Sequence, residues 1–302
     1  MAAKLPFISV VVVTFNRKGM LAQLLEALGR QDYPKERMER IVVDGGSTDG
    51  TPEFVRRKFP GWRVIHTADN IGHGGSINLG NAIARGGVVI NFDDDAEPVG
   101  RDYLRRMAGK FSDTRVNFVA PKIINHFTKQ IFWDGPTHAR EPLANGSYDC
   151  AMFNGASYGI RKSVFDAAGG YDPEFFLHLE EQQYALKLRD AGFPLSYFPD
   201  IEVSHKMPAQ IRFRGSRNRN AIRNTVQWCC KYLPWEYVLL TLFGVGSFFL
   251  QVAKGNADRG SVLGALEGIA QIPHYLRARG KTLSGKTVRY YFETKKTYTN
   301  GF

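Results

Sequence analysis

Val88-Val89-Ile90-Asn91-Phe92-Asp93-Asp94-Asp95 is an apolar, β-branched run that stops at three consecutive carboxylates, with Ala96-Glu97-Pro98 directly behind it. A short run of this composition reads as a strand buried on both faces, the kind found in parallel sheets. Three negative charges at the end of such a strand call for a counter-charge, because unpaired carboxylates are expensive away from water. A divalent cation carrying phosphate oxygens is the simplest one. Mg²⁺ and Mn²⁺ prefer oxygen ligands and commonly take one or two carboxylates together with substrate phosphates. For the octapeptide on its own, a solvated acidic turn is the plain alternative.

The pattern repeats outward from this strand. Residues 7–14 are a second apolar run, followed by Leu21, Leu24, Leu25 and Leu28 at the spacing of an amphipathic helix over 18–31. Residues 40–43 form a strand closed by Asp44-Gly45-Gly46-Ser47-Thr48-Asp49-Gly50, and Thr51-Pro52-Glu53 opens the next helix with proline where its missing donor is harmless. A strand over 62–66, a helix over 75–85 and the strand ending at Phe92 complete the series. Strands alternating with helices imply a parallel sheet, and ligands of such sheets bind beyond the carboxyl ends of the strands. Thr14-Phe15-Asn16, Asp44 to Asp49 and Asp93 to Asp95 all lie at such ends. After Pro98 the pattern is mixed, with strands expected over 116–120 and 155–160, a helix over 180–191, and a helical, basic, aromatic segment from 208 onward.

The chain has 302 residues and a net charge of +11. The charge is uneven: residues 204–302 hold 16 Lys+Arg against 4 Asp+Glu. A basic surface attracts anionic lipid, nucleic acid or phosphorylated substrates, and the sign alone does not choose among them. Cys150, Cys229 and Cys230 show neither metal-ligand spacing nor an ordinary disulfide pattern, which fits a reducing, cytoplasmic setting. Residues 7–13 are too short and too β-branched for a signal-peptide core. No apolar run reaches the roughly 18–20 residues of a membrane span. The longest, 238–250 behind Leu233-Pro234-Trp235-Glu236-Tyr237, suits an interfacial helix on the inner face of a membrane or a helix packed on the domain or on a partner subunit.

Taken together, these residues resemble the family 2 glycosyltransferases, inverting enzymes of the GT-A fold. Ser9 to Arg17 resembles the family's opening strand and turn, Val42 to Thr51 its second strand end, and Asn70-Ile71-Gly72 with Asn78-Leu79-Gly80 its third motif. Asp93-Asp94-Asp95 resembles its metal-binding D-x-D. The resemblance covers 1–205. It implies a GT-A sheet, Rossmann-like and mostly parallel, flanked by helices: a nucleotide-sugar half over 1–97, an acceptor and catalytic half over 98–207, and a helical extension over 208–302. It places the donor, a UDP- or dTDP-sugar, on Thr14, Asn16, Arg17, Asp44, Gly72, Asn78, Asp93 and Asp94. In this reading the Asp44 carboxylate accepts a hydrogen bond from the N3–H of the nucleobase, and Mn²⁺ or Mg²⁺ sits on Asp93, Asp95 and His205, the last closing Pro199-Asp200-Ile201-Glu202-Val203-Ser204-His205.

The segment Phe175-Phe176-Leu177-His178-Leu179-Glu180-Glu181-Gln182-Gln183 is similar to the family's E-D-x-D helix opening. Aligned on Phe176 and Ala191-Gly192-Phe193, its catalytic base falls on Glu181, with Glu180 the other candidate. The chain departs from the pattern here: Glu replaces Asp at the base, Gln183 the second Asp and Lys187 an Arg. A carboxylate base deprotonating an acceptor hydroxyl suits an inverting transfer. Trp133, Asp134, Asn154 and Gly155 are expected to border the acceptor cleft, since aromatic faces pack on sugar rings. The basic run over 212–220 resembles a loop that closes on the diphosphate, where arginine forks suit phosphate. The resemblance implies a glycan, lipid-linked or small-molecule hydroxyl acceptor and no nucleic acid, and it leaves a homo-oligomer open. Rhamnose, galactofuranose, glucose and N-acetylglucosamine all fit as the sugar.

Two motifs point elsewhere. Gly280-Lys281-Thr282-Leu283-Ser284-Gly285-Lys286-Thr287 satisfies the P-loop pattern, but no buried strand precedes it and only 15 residues follow. Asn145-Gly146-Ser147 matches a glycosylation sequon without a signal peptide to give it meaning. A sugar-1-phosphate nucleotidyltransferase would need a Gly-rich opening loop that Thr14-Phe15-Asn16-Arg17 lacks. A non-catalytic nucleotide-sugar or membrane-binding module is the reading suggested by Glu181 and Gln183.

Overall fold

The computed structural model describes residues 5–135, 141–206, 214–239 and 258–295. Strand β1 (Ile8–Thr14) is buried along its whole length and lies at the centre of a parallel run, between β2 (Met38–Asp44) and β4 (Val88–Asp93), with β3 (Arg63–His66) outside β2. The register decides what the strands present at their carboxyl ends. Thr14 pairs with Asp44, Val13 with Asp93, and Asp44 with His66. Every polar residue that follows an apolar run is thus delivered to one edge of the sheet.

Helix α1 (Lys18–Gly29) buries the four leucines that the spacing marked. Helix α2 (Thr51–Lys58) has its proline in the first turn. Helix α3 (Gly72–Ile83) starts three residues before the expected position because the Asn70 side chain accepts the Gly72 N–H at 2.9 Å and turns the chain into the helix early.

The second half of the sheet is mixed. After β5 (Ala96–Pro98) and α4 (Tyr103–Lys110) come β6 (Phe118–Asn125), β7 (Ile131–Trp133), β8 (Tyr148–Cys150) and β9 (Ser157–Arg161). Helix α5 (Lys162–Ala168), helix α6 (Glu180–Asp190) and β10 (Leu195–His205) follow. The sheet order is β3-β2-β1-β4-β9-β6-β10-β5, one continuous sheet across both halves. Two antiparallel pairings matter for function. Strand β9 runs against β4, so the residues entering β9 meet the carboxyl end of β4. Strand β5 runs against the end of β10 and sets His205 opposite Ala96.

The main core spans this sheet and its helices. A second apolar cluster of Phe175, Leu186, Trp228, Cys229, Leu233, Leu283, Val288 and Tyr291 seats the C-terminal helices against α6 and the segment before it. Those helices are α7 (Arg214–Tyr232), α8 (Arg259–Ala270), α9 (Ile272–Arg277) and α10 (Gly285–Lys295). Helices α7 and α8 pack closely: a methyl group at Gly264 would lie 2.2 Å from Arg219 O, and one at Gly268 3.0 Å from the Val226 side chain. All three cysteine thiols are buried and none is in a disulfide. Among the described residues no helix is long and apolar enough to cross a membrane. Most of the apolar run 238–250 and the start of the basic run 212–220 lie outside the described residues.

Candidate active site

Asp93, Asp95 and His205 come together where β4, the turn after it and β10 end. Among the described residues they are a group whose ligand atoms all lie within 4.8 Å of one another. His205 Nε2 is 3.1 Å from Asp95 Oδ1, and its Nδ1 is buried without a hydrogen-bond partner. Two carboxylates and one imidazole form a donor set suited to Mn²⁺ or Mg²⁺, and three ligands leave positions for phosphate oxygens and water. The residues therefore fit the metal that the D-x-D pattern implied.

Asp94 faces the other way. It is 5% exposed, accepts the Thr14 hydroxyl at 2.7 Å, and receives Arg17 Nη1 at 3.1 Å. The same Nη1 reaches Asp95 Oδ2 at 2.7 Å. Burial pushes the Asp94 carboxyl up to about 6 against the pull of Arg17 and Thr14. Asp95 is held low, because His205 and Arg17 outweigh its burial. Burial also works against the charge of Arg17, but Asp94 and Asp95 outweigh it and raise its pKa. Thr14, Arg17 and Asp94 are thus joined in one network that reaches Asp95.

Asp44 sits at the end of β2, fully buried. Its Oδ1 accepts the Ser47 N–H at 2.8 Å and lies 2.8 Å from His66 Nδ1, while Oδ2 is buried with no partner. An unmatched carboxylate oxygen in a buried setting is the acceptor that an N–H donor on a ligand would complete. Asn16 has a left-handed backbone (φ 52°) and ties the β1 and β2 turns together: its Oδ1 accepts Thr48 N–H at 2.8 Å, and its own N–H donates to Ser47 Oγ at 2.7 Å.

Two residues of the third motif tie α3 to the segment before α6. Asn78 binds the Tyr171 backbone with both ends of its amide, at 2.9 and 2.8 Å, and so fastens α3 to the segment before Pro173. Gly72 (φ 75°) permits close approach, since a methyl there would lie 2.6 Å from Phe176 O.

Of the two adjacent glutamates, Glu180 and Glu181 open α6 and take different partners. Glu180 Oε1 lies 3.2 Å from His73 Nδ1, close enough for charge pairing though outside hydrogen-bond geometry, and His73 Nε2 is 2.8 Å from Asp93 Oδ1. Burial works against a positive His73, yet the two carboxylates outweigh it and hold the imidazolium well above the ordinary histidine range. Glu181 is not hydrogen-bonded to His73, whose charge only partly offsets the causes that raise its carboxyl. Its Oε1 accepts the Gly155 N–H at 2.7 Å, and burial, then the charge of Glu180, push its carboxyl up to about 8. A methyl at Gly155 would lie 2.2 Å from that oxygen. The next carbonyl, Ala156 O, accepts the Asp93 N–H at 3.1 Å, so two consecutive residues connect Glu181 to the metal carboxylates. A raised carboxyl in a cluster of acidic and basic groups is the pattern of a general base.

The remaining expected site residues are placed as follows. Asn154 Oδ1 accepts Ala156 N–H at 3.0 Å and shapes the turn that presents Gly155. Trp133 is buried, edge-on to Tyr197 with ring centroids 5.1 Å apart, and the Tyr197 hydroxyl donates to Asp134 Oδ1. One face of Trp133 thus packs in the core against Tyr197. The P-loop-like segment is a helix start: Ser284 N–H and Thr287 Oγ1 both donate to Asp190 Oδ1, at 2.8 and 2.9 Å, and cap α10. His73 had no motif to mark it. Its one sequence signal is a titratable residue in the first turn of a helix directly behind Gly72.

Comparison with known proteins agrees with this geometry. Residues 9–168 match the family described as Glycosyl transferase family 2. The probable glycosyltransferase YdaM of Bacillus subtilis is 27% identical over 65% of this chain and 50% of its own length, so the chain spans half of that relative. Glycosyltransferase AglE of Haloferax volcanii is 24% identical over 68% of each chain. The N-acetylglucosaminyl-diphospho-decaprenol L-rhamnosyltransferase of Mycobacterium tuberculosis is 25% identical over 65% of this chain and 75% of its own. Among solved structures, the mannosyltransferase PcManGT from Pyrobaculum calidifontis, in complex with GDP-Man and Mn²⁺, superposes with a TM-score of 0.59 at 19% identity, covering 97% of this chain and 81% of that one. GalNAc-T7 with UDP, GalNAc and Mn²⁺ gives 0.66 at 16% identity, covering 98% and 59%. These likenesses establish the GT-A architecture, and with the family match over more than half of its length the chain belongs to glycosyl transferase family 2.

Proposed function

We propose that the protein transfers a sugar with inversion from a UDP- or dTDP-sugar to an acceptor hydroxyl, with Glu181 as the base. The observation that carries this reading is the pair of adjacent contacts Gly155 N–H to Glu181 and Ala156 O to Asp93 N–H, which join Glu181 to the proposed metal carboxylates. Asp44 Oδ2 supplies the acceptor for a pyrimidine N3–H. Glu181 takes the proton of the acceptor hydroxyl as that oxygen bonds to the anomeric carbon and the bond to the leaving diphosphate breaks. Held by Asp93, Asp95 and His205, Mn²⁺ or Mg²⁺ supplies positive charge against the diphosphate. Arg17 and Thr14 keep Asp94 and Asp95 in place, and His73 holds Asp93 and Glu180 together. The solved structures with GDP-Man and Mn²⁺ and with UDP and Mn²⁺ support a nucleotide-sugar donor with a metal. A thermal-shift and donor-hydrolysis panel of UDP-, dTDP- and GDP-sugars, with and without Mn²⁺, tests the reading. Metal-dependent stabilisation and turnover of one pyrimidine donor, lost in Asp95→Ala, is the expected outcome. Response to GDP-sugars alone would remove the pyrimidine assignment, and no response to any donor would remove the activity.

A lipid-linked acceptor at an anionic membrane surface is favoured by the C-terminal helices. Helix α8 turns small residues inward and places Arg259, Leu263, Leu266 and Ala270 on its exposed face. This arrangement, close packing inside and apolar side chains outside, is the reverse of a water-facing helix and suits hydrocarbon. Arg277, Lys281, Lys286 and Arg289 are exposed nearby in the chain, and Trp235 is 58% exposed with the Arg279 guanidinium 4.4 Å from its ring centre. The M. tuberculosis relative is named for a decaprenyl diphosphate acceptor. Cosedimentation with phosphatidylglycerol vesicles, weakened by Leu266→Asp and absent with phosphatidylcholine, is expected. No binding to either, or capture by a second copy of the chain, would defeat it.

A further inference from the structure

The segment 175–179 leads directly into Glu180 and Glu181, and three of its non-glycine residues occupy the left-handed region: Phe176 (φ 57°), His178 (φ 72°) and Leu179 (φ 67°). L-residues avoid that region, and several within five positions persist only where surrounding contacts over-determine them. The contacts come from α7. Asn224 is fully buried, and its Nδ2 lies 2.8 Å from Phe175 O, 2.9 Å from Leu177 O and 2.7 Å from His178 O. Its two amide protons are shared by three carbonyls. Asn224 Oδ1 accepts from Arg223 Nε and Nη2 at 3.1 and 2.9 Å, which orients the amide with its donors toward the segment.

The carbonyl between these, Phe176 O, accepts the His73 N–H at 3.0 Å, and Leu179 O accepts Gln183 N–H at 2.9 Å to begin α6. The five successive carbonyls are therefore held by α7, by α3 and by α6 itself. Further along the same face of α7, Lys231 Nζ bonds Asp172 at 2.6 Å and Glu174 at 2.9 Å, and Trp228 packs in the cluster that buries Phe175.

We propose that Asn224 is a positioning residue for transfer: by clamping the carbonyls of Phe175, Leu177 and His178 it sets where α6 begins and so aims the Glu181 carboxylate at the acceptor hydroxyl. The proposal rests on the reading of Glu181 as base. It makes the C-terminal extension part of the catalytic unit, since the residue that holds the base in register lies outside the sheet domain.

Asn224→Ala and Asn224→Asp test it in the full chain, with Val226→Ala as a control on the same helix whose side chain packs toward Gly268 and away from the segment. Asn224→Asp places oxygens against three carbonyls and is expected to lower kcat about 30-fold or more, since displacements near 1 Å cost on the order of 100-fold. Donor KM should change less than about threefold because the proposed donor groups Asp44 and Asp93 lie on β2 and β4, away from α7. Val226→Ala should keep kcat within about threefold even where its Tm falls as far as that of Asn224→Ala. Amide exchange gives a readout independent of turnover: residues 175–181 should exchange at least about tenfold faster in Asn224→Ala while β1 and β4 stay protected. Unchanged exchange there, or a loss of kcat that Val226→Ala reproduces at equal Tm, overturns the proposal. A wild type with no turnover, or an active Glu181→Gln, removes the base assignment, and the exchange result still decides whether Asn224 holds the segment.

Discussion

Glu181 accepts the backbone N–H of Gly155 at 2.7 Å, while Glu180, one residue earlier, faces His73. Neighbours at the start of one helix point in different directions, about 100° apart around the axis. That rotation sets the buried Glu180 carboxylate against His73 and the half-buried Glu181 carboxylate against the Gly155 N–H.

The pH dependence of transfer follows from this. With the Glu181 carboxyl pushed up to about 8, the base is increasingly available as pH rises through that value, so kcat should climb on the alkaline side of neutrality. Glu181→Gln should lower kcat by roughly 10²–10⁴-fold and flatten that limb. A wild-type profile flat from pH 6 to 9 would exclude the role.

Stability should carry the opposite sign. The folded pKa of Glu181 lies above the unfolded value near 4.5, so from about pH 4.5 to about 8 the unfolded chain has lost a proton that the folded chain retains. Stability from this group is complete below the unfolded value and is lost as pH rises through the folded one. Glu181→Gln should therefore lose less Tm between pH 5 and pH 8.5 than the wild type, read by thermal unfolding in matched buffers.

Gly155→Ala is expected to disable transfer through shape alone. The new methyl would lie 2.2 Å from Glu181 Oε1, against a backbone tied to Asp93 through Ala156. Either the carboxylate or the turn must move, so kcat should fall roughly 10–100-fold. Nucleotide affinity, measured by calorimetry, should stay near the wild-type value.

Metal affinity should depend on residues from both halves of the sheet, β4 and β10. His205→Ala removes the one imidazole donor and is expected to weaken Mn²⁺ binding at least about tenfold, and chelation should abolish donor stabilisation in the wild type. Isothermal titration with Mn²⁺ alone reads this. Equal affinity in the two proteins would take His205 out of the ligand set.

Asp44→Asn separates donor recognition from chemistry. Asparagine can retain the Ser47 N–H contact through its oxygen, but it sets an N–H where Asp44 Oδ2 stood open. Opposing a pyrimidine N3–H, that donor should weaken UDP or dTDP by about 1.5–3 kcal/mol, roughly 10–100-fold, with Mn²⁺ binding unchanged. Competition by the free nucleotides is the measurement.

Much of the fold was legible in local pattern. The leucine spacing of α1, the proline opening α2 and the apolar runs of β1, β2 and β4 each report a preference that operates within a few residues. The start of α3 was misplaced by three residues because a side-chain turn at Asn70, and not apolar periodicity, begins it. The sequence also concentrated carboxylates at the ends of parallel strands, while His205 was grouped with Asp93 and Asp95 through the family resemblance, and the structure brings the three together.

What the sequence determined by itself was therefore the alternation of strands and helices, the family, and the residue types gathered at one sheet edge, because apolar periodicity and charge placement are local properties. Only the tertiary structure decided which group does what there. Arg17 reaches Asp94 and Asp95, His73 bridges Asp93 and Glu180, Gly155 selects Glu181, and Asn224 holds the segment before it. These partners are joined through strand register and helix packing across long stretches of chain, and no spacing rule along the sequence encodes a contact that exists only once the sheet has closed.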